Sequence, residues 1–441
     1  MARARRGPAQ IDKKGGRDTT MPRTEQLRPA LERQGPRPLP LHLATATLLW
    51  GSSLSAWTLW KSDSLRWSAS LQAAKPAQEE ASEQALRAAL EKCDPEVFQT
   101  ALAQAVRERM GRFLDGVEAY RSYPEHRELP EMPVIWQEGN SRLLDYAPDA
   151  PSDAPTVLFV PSLVNRFYVL DLERETSLLR WLAREGFKPA VMDWGAPGES
   201  EKDFTLTDYV AGRLEAALDA LKQIQEGPLH LAGYCMGGLL ALALAQRRSR
   251  DFASLVLMAA PWDFHAEQPE AARLLGLQAE VMAPLLRTMG VMPTDMIQSY
   301  FALLDPAGVL RKFLAFAQFE PGSPKARRFV ALEDWLNDGV PLAAKVAGEC
   351  LSGWYGRNEP ARGRWRIAGH PVKPEDLRLP ALVMVPAQDR IVPPRSALAL
   401  AAALPGAQVE QPKLGHIGMV VSARAPERIW KPLAEWLSAR S

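Results

Sequence analysis

The stretch HLAGYCMGGLLALALAQ, His230–Gln246, decides how this chain folds. It opens with a short apolar run that ends at Tyr234, and an unbroken helix-forming run starts at Gly238. Between them, the sequence Gly-Tyr-Cys-Met-Gly predicts a sharp turn, because glycines on both sides of the cysteine let backbone segments pass closely. The dipole of the following helix would favour the thiolate of Cys235. The segment therefore predicts a strand, a tight turn and a helix that present Cys235 as a nucleophile.

A nucleophile between two such glycines is typical of the α/β-hydrolase fold, in which an acid and then a histidine follow later strands. Both are present in that order. Ala381–Ala387 is predicted to be a buried strand, and Asp389 follows it. Of six histidines, only His416 lies in a glycine-flanked loop after the last predicted strand. We therefore expect Cys235, Asp389 and His416 to act as nucleophile, acid and base.

An acyl-transfer site of this kind also needs an oxyanion hole made of two backbone N–H groups. Met236 is expected to supply one, because it directly follows the nucleophile. The second should come from the loop after the first core strand, and we expect it to be Val164.

Seven stretches of the chain carry a resemblance to a known family. They are Pro161–Leu172 (PSLVNRFYVLDL), Asp193–Gly195 (DWG), Leu206–Tyr209 (LTDY), Gly233–Gly238 (GYCMGG), Asp389–Pro394 (DRIVPP), Gly415–Ser422 (GHIGMVVS), and the stretch from Trp354-Tyr355 through Asn358, Gly363 and Gly369 to Pro371-Val372. Together they make the chain similar to the polyhydroxyalkanoate (poly-3-hydroxybutyrate) synthase family of the α/β-hydrolase superfamily, over roughly residues 120–440. The chain departs from that pattern at Arg390, where many synthases carry histidine.

The resemblance implies an acyltransferase that polymerises (R)-3-hydroxyacyl-CoA into polyhydroxyalkanoate and releases CoA, with a covalent thioester on Cys235. It implies no cofactor apart from the CoA thioester substrate. The implied partners are hydroxyacyl-CoA and the polyester chain, a polyester-granule surface, and a second copy of the chain or a second synthase subunit. Two alternatives stay open: a polyester depolymerase or thioesterase-type hydrolase of the same fold, and a catalytically weak, granule-associated or partner-subunit protein.

Composition agrees with a cytoplasmic enzyme. The 441 residues are 46% hydrophobic, enough for one large α/β domain with additions. A net charge of +1 gives no reason to expect nucleic acid as a partner. The three cysteines are widely spaced and predict neither a disulfide framework nor a metal site. We find no phosphate-binding loop or dinucleotide fingerprint in the sequence.

Alternating strand and helix patterns predict a mostly parallel, doubly wound sheet. We assign its first part to residues 151–262 and its second to residues 377–441. The helical interval 263–376 is predicted to be a cap over the nucleophile, and residues 41–150 a helical N-terminal region. Residues 1–40, rich in Arg, Lys, Pro and Gly, are predicted to be a disordered basic leader, within which Met21 is an alternative start.

The apolar segment 41–60 carries no formal charge and allows three interpretations. It could be a helix packed on the protein or on a partner, a helix in contact with a hydrophobic surface such as a polyester granule, or a membrane span. Its content of Ser, Thr, His and Gly is high for a membrane span.

Overall fold

The computed structural model describes residues 33–61, 85, 88–89 and 92–441, with the backbone alone at 56–61. Most of the predicted basic leader, 1–40, therefore lies outside the described residues. Residues 33–38 lie against the cap, where the Arg33 side chain is buried, and the first helix begins at Leu39. The predicted disorder thus does not extend to this end of the leader.

The centre of the described fold is an eight-stranded sheet that confirms the predicted α/β architecture. Its order is β1-β2-β4-β3-β5-β6-β7-β8. Strand β2 pairs antiparallel with β1 and with β4, and the remaining pairs are parallel. The strands are β1 Val134–Glu138, β2 Ser141–Asp145, β3 Thr156–Val160, β4 Lys188–Asp193, β5 Leu229–Tyr234, β6 Ser254–Met258, β7 Ala381–Met384 and β8 Gln408–Glu410.

The first two strands correct the prediction of a helical region up to residue 150. Residues 134–145 form an antiparallel hairpin at the edge of the sheet, and β2 pairs with β4. The outer strand β1 is half polar and largely exposed, because its free side faces solvent.

The inner strands are fully buried, as expected for parallel strands covered by helices on both faces. Their side chains alternate between two apolar cores: Leu158 of β3 lies in one, and its neighbour Phe159 lies in the other. This alternation explains why the strands read as continuous apolar runs in the sequence.

Helices cover both faces of the sheet and build the cap and the N-terminal extension. They are α1 Leu39–Lys61, α2 Pro95–Arg121, α3 Leu178–Arg184, α4 Glu215–Lys222, α5 Met236–Arg247, α6 Pro269–Met289, α7 Thr294–Leu304, α8 Gly308–Phe316, α9 Pro324–Asn337, α10 Ala344–Gly348, α11 Pro394–Ala403, α12 Gly418–Val421 and α13 Lys431–Ser438. The described chain also contains three π-helical segments. Asp208–Leu214 directly precedes α4, Glu349–Gly356 directly follows α10, and Pro426–Trp430 directly precedes α13.

The cap consists of α6–α10 and the π-helix at 349–356, inserted between β6 and β7. A short antiparallel pair, Val291–Met292 with Leu342–Ala343, ties its two halves together. A second pair, Arg366–Ile367 with His370–Pro371, leads back toward β7.

The N-terminal helices pack on the cap through an aromatic cluster. Phe113 of α2 makes edge-to-face contacts with Trp50 of α1 and Phe313 of α8. On α1, Ala46 is buried, whereas Leu48, Leu49 and Leu54 are exposed. The described part of segment 41–60 is therefore a helix with one packed side and one uncovered apolar side. Among the described residues, no helix combines the length and apolar character needed to cross a bilayer.

Candidate active site

Cys235 occupies the turn between β5 and α5. Its backbone has φ +56° and ψ −130°, a conformation that a residue with a side chain rarely adopts. The Cys235 N–H donates to the carbonyl of Met258 at 2.9 Å, which ties the turn to the neighbouring strand. Such strain persists only where the surroundings enforce it, and it is common at functional sites.

The glycines beside the turn have no room for a side chain. A Cβ on Gly233 would lie 2.5 Å from the Cα of Gly238, so strand and helix touch there. A Cβ on Gly237 would lie 2.0 Å from the carbonyl oxygen of Val160, where the loop after β3 crosses the turn. The predicted close backbone contacts are therefore present on both sides of Cys235.

Asp389 and His416 form the second half of the site. His416 Nδ1 lies 2.7 Å from Asp389 Oδ2, and both side chains are buried. Asp389 Oδ1 accepts the backbone N–H groups of Ile391 at 2.8 Å and Val392 at 2.9 Å. The Tyr234 hydroxyl donates to the His416 carbonyl at 3.1 Å, which fixes the histidine loop from the strand before the nucleophile.

The imidazole of His416 connects the acid to the nucleophile, since its side chain hydrogen-bonds both Asp389 and Cys235. Burial lowers the pKa of His416, but the charge on the Cys235 sulfur and the bonds to both partners outweigh it and raise that pKa to about 10. His416 therefore has a high affinity for a proton, as a base toward Cys235 requires. The structure thus brings the three predicted residues together as one hydrogen-bonded group.

The two expected oxyanion donors differ in the structure. Met236 is the first residue of α5, so its N–H has no acceptor within the helix. The N–H of Val164 instead donates to Ser162 Oγ at 3.1 Å. An oxyanion could reach this second donor only if the Ser162 hydroxyl turned away.

The loop that carries Val164 is held at both ends. Trp194 Nε1 donates to the Pro161 carbonyl at 2.9 Å, and Trp335 Nε1 of the cap donates to the Arg166 carbonyl at 2.8 Å. Arg166 also pairs with Asp338 at 2.9 Å. Because a core residue and a cap residue both hydrogen-bond the backbone of this loop, a movement of the cap would also move the loop.

Tyr355 is a neighbour of the site for which the sequence predicts no role. Burial, followed by the proximity of Cys235 and Cys350, raises its pKa. His265 Nε2 bonds the Tyr355 carbonyl at 2.7 Å, and the Tyr355 ring meets Phe264 edge-to-face at 4.8 Å. Its sequence signal is its place in the family-like stretch that begins at Trp354-Tyr355, but neither that likeness nor helical spacing shows that Tyr355 lies near the nucleophile.

Known proteins resemble this chain in sequence and in fold. Residues 155–423 match the model of the alpha/beta hydrolase fold family. The poly(3-hydroxyalkanoate) polymerase subunit PhaC of Synechocystis sp. is 30% identical over 344 residues, which cover 75% of this chain and 90% of that protein. The subunit of the same name from Haloferax mediterranei is 28% identical over 70% of this chain, which spans 64% of that relative's length. Among solved structures, the enol-lactonase from Burkholderia xenovorans LB400 is 18% identical with a TM-score of 0.43, covering 70% of this chain and 100% of that one.

The family model covers more than half of the chain, and the Synechocystis relative is matched over most of its length. The chain therefore belongs to the α/β-hydrolase-fold family and, within it, to the poly(3-hydroxyalkanoate) polymerases of the PhaC type.

Proposed function

We propose that this chain is an acyltransferase that polymerises (R)-3-hydroxyacyl-CoA into polyhydroxyalkanoate and releases CoA. The observation that carries the proposal is Cys235 on a strained turn, hydrogen-bonded to a buried His416 that Asp389 orients. Membership of the PhaC family supports the substrate class. The three cysteines are free thiols, which fits a reducing cytoplasm.

A cysteine nucleophile suits transfer from a thioester. Attack of the Cys235 sulfur on an acyl-CoA exchanges one thioester for another, so the step is nearly thermoneutral. A serine would form an oxyester and lose that balance. The acyl group therefore stays activated for the next transfer.

His416 serves as base toward Cys235, then as acid toward the leaving group, and then as base again. It takes the proton of Cys235 as the sulfur attacks the acyl carbonyl, and the CoA thiolate is expelled. The imidazolium protonates that leaving thiolate, so CoA departs as a thiol and His416 becomes neutral. In the thioester the Cys235 sulfur no longer raises the His416 pKa, and burial favours the neutral ring.

The neutral His416 then activates the second substrate. It takes the proton of a hydroxyl on another hydroxyacyl group, and the oxygen attacks the Cys235 thioester. A new ester forms, the Cys235 sulfur leaves, and the proton held by His416 returns to it, which restores the free enzyme. Asp389 holds the ring in one tautomer throughout, because its bond to Nδ1 leaves Nε2 for the reacting atoms.

We further propose that the uncovered side of α1 contacts the polyester-granule surface. Leu48 is 72% exposed and Leu49 lies beside it, although the opposite side of α1 is packed. Replacing both leucines by Ser should lower partitioning of the purified protein onto polyester granules, measured by sedimentation. Granule binding equal to that of a control with Leu114→Ser, an exposed leucine on α2, would contradict this assignment.

A second copy or a second synthase subunit is proposed at helix α6. Leu274, Leu277, Val281 and Leu285 are exposed at three- and four-residue spacing, which forms one apolar stripe. Light scattering should give a mass above the monomer for the protein alone or for its mixture with a synthase subunit. Val281→Glu should reduce that mass, and a monomer in both samples would contradict the proposal.

The experiment for the central proposal uses the purified protein and 3-hydroxybutyryl-CoA. Free CoA is followed with a thiol reagent, and the acyl product is analysed by mass spectrometry. CoA release together with ester-linked oligomers is expected. Free 3-hydroxybutyrate as the sole acyl product would instead establish a thioesterase or depolymerase-type hydrolase.

A further inference from the structure

An arginine at the boundary between core and cap has an incompletely balanced charge. Arg390 directly follows Asp389, and its side chain is 76% exposed. Its Nη1 lies 3.3 Å from Oδ2 of Asp305, the cap residue that follows α7. The same oxygen accepts Arg311 Nη2 at 2.6 Å. Two guanidinium groups therefore share one carboxylate, which leaves one positive charge in excess.

Arg390 also borders a cavity beside the catalytic loops. The cavity has a volume of about 540 Å³ and is lined by Gln388, Asp389, Arg390 and Gly415. The carboxylate of Asp389 adds little negative charge there, because it is buried and bonded to His416 and to two backbone N–H groups. The polar side chains free to meet a ligand are the Arg390 guanidinium and the Gln388 amide. The cavity thus suits an anion.

The other charges on the cap side of this boundary already have partners. A second cavity, also of about 540 Å³, is lined by Arg37, Asp305, Arg311 and Lys312 among others. Arg37 pairs with Asp295 at 2.8 Å, and Lys312 pairs with the buried Glu333 at 2.6 Å. The excess charge is therefore located at Arg390, the guanidinium with the longer and more exposed contact to Asp305.

We propose that the cavity at Arg390 binds the phosphate groups of the acyl-CoA substrate, with Asp305 as the internal anion that Arg390 leaves when phosphate arrives. The inference rests on the proposed function, since it names the site for the CoA part of that substrate. A guanidinium binds phosphate oxygens through two parallel N–H bonds, whereas an exposed ion pair contributes little. The exchange is favourable because Asp305 keeps Arg311 as its partner.

The location also fits the geometry of the substrate. In a CoA thioester, the flexible pantetheine arm separates the reacting sulfur from the phosphates. Arg390 is one residue from the acid that orients His416, and it reaches outward to the cap. A thioester at Cys235 with its arm along the core–cap boundary would bring its phosphates to the rim of the site, where solvent is accessible.

The test compares two substrates, 3-hydroxybutyryl-CoA and its phosphate-free N-acetylcysteamine thioester. The quantity measured is the ratio of their kcat/KM values, which cancels changes common to both reactions. In Arg390→Gln this ratio should fall about tenfold. In Arg390→Lys it should fall less, because lysine keeps the positive charge although it lacks the two parallel N–H donors of arginine. In Asp305→Asn the ratio should rise about two- to threefold, since Arg390 loses its competing anion.

Arg121→Gln is the matched control, because Arg121 is an exposed arginine of α2 that pairs with Glu118 at 3.5 Å. It changes the net charge by the same amount and should leave the ratio unchanged. A ratio in Arg390→Gln no lower than in Arg121→Gln would overturn the proposal.

A binding measurement separates this inference from the proposed function. If the wild-type protein turns over neither thioester, titration calorimetry with CoA, pantetheine and inorganic phosphate decides. CoA binding that weakens about tenfold in Arg390→Gln, with no binding of pantetheine, would support the site without the activity. Equal CoA binding by both proteins, or inorganic phosphate bound as tightly as CoA, would overturn it.

Discussion

Arg390 is next to two carboxylates: Asp389 precedes it in the chain, and Asp305 of the cap pairs with its side chain. The two carboxylates differ in burial and in the number of bonds that hold them. The Asp389 side chain is 1% exposed and bonds His416 and two backbone N–H groups. The Asp305 side chain is 35% exposed and bonds two arginines that are themselves exposed. In a buried, fully bonded network each bond is strong and a broken one is costly, whereas exposed ion pairs exchange readily with solvent and ions. We therefore expect the loop that carries Asp389 to keep His416 in one position, and the ion pair of Arg390 with Asp305 to open when a ligand binds.

The largest effect is expected at the nucleophile itself. Cys235→Ala should abolish acyl-enzyme formation and lower CoA release by at least about 10⁴-fold, because no other group can form the thioester. Cys235→Ser should retain trace activity at most, since its hydroxyl is far harder to ionise. The assay is CoA release from 3-hydroxybutyryl-CoA, with circular dichroism to verify folding. Undiminished turnover in the alanine variant would rule out the whole assignment.

The next prediction tests the comparison of the two carboxylates directly. Asp389→Asn should lower kcat by about 10³- to 10⁴-fold, because an amide no longer stabilises the imidazolium or selects the Nδ1–H tautomer of His416. Asp305→Asn, the same chemical change across the boundary, should alter kcat by less than about threefold. Similar losses in both variants would show that the cap boundary is as rigid as the acid loop.

The parts of the fold that could be predicted are those whose signals are local. The strand, turn and helix at 230–246 lie within seventeen consecutive residues, and the glycines specify the turn without help from elsewhere. The acid and histidine loops follow buried strands whose apolar runs arise from parallel neighbours. The N-terminus of α3 is harder to predict. The apolar run Leu172–Arg184 predicts a helix over its whole length, but the helix begins at Leu178, where the Ser177 side chain caps it.

The features that were missed depend on contacts between distant segments. The hairpin at 134–145 is specified by pairing with β4 rather than by its own mixed sequence. The bond between Ser162 Oγ and the Val164 N–H depends on one rotamer. The ion pair of Arg390 with Asp305 joins residues 85 positions apart. Periodicity in a single sequence carries no information on such pairs, so the three residues of the candidate site were predictable and the contacts between core and cap were not.

A third prediction concerns the packing that forces Cys235 into its strained turn. Gly237→Ala should destabilise the protein by about 3 kcal/mol, because its Cβ would overlap the backbone of Val160 and Pro161, neither of which can move aside. Gly111→Ala is the matched control: nothing lies within 4 Å of its added Cβ, and it should stabilise α2 by up to about 1 kcal/mol. Denaturant unfolding measures both changes. Equal stability of the two variants would mean that the turn is not held by this contact.

The smallest effect is expected in the titration of His416. Its pKa, raised from the ordinary 6.5 to about 10, depends on the charge of Cys235 as well as on Asp389. Cys235→Ala removes that charge while burial continues to favour the neutral ring, so the pKa should fall. NMR of the imidazole carbons measures it in both proteins.

The same shift has a consequence for stability. A group whose pKa is raised on folding contributes fully below its unfolded pKa, near 6.5, and that contribution is lost as pH rises through about 10. The Tm of the wild-type protein should therefore decrease more between pH 7 and pH 10 than the Tm of Cys235→Ala. Parallel Tm curves would mean that Cys235 does not raise the His416 pKa in the free enzyme. The bond to Asp389 would then be the main interaction that opposes the effect of burial on that pKa.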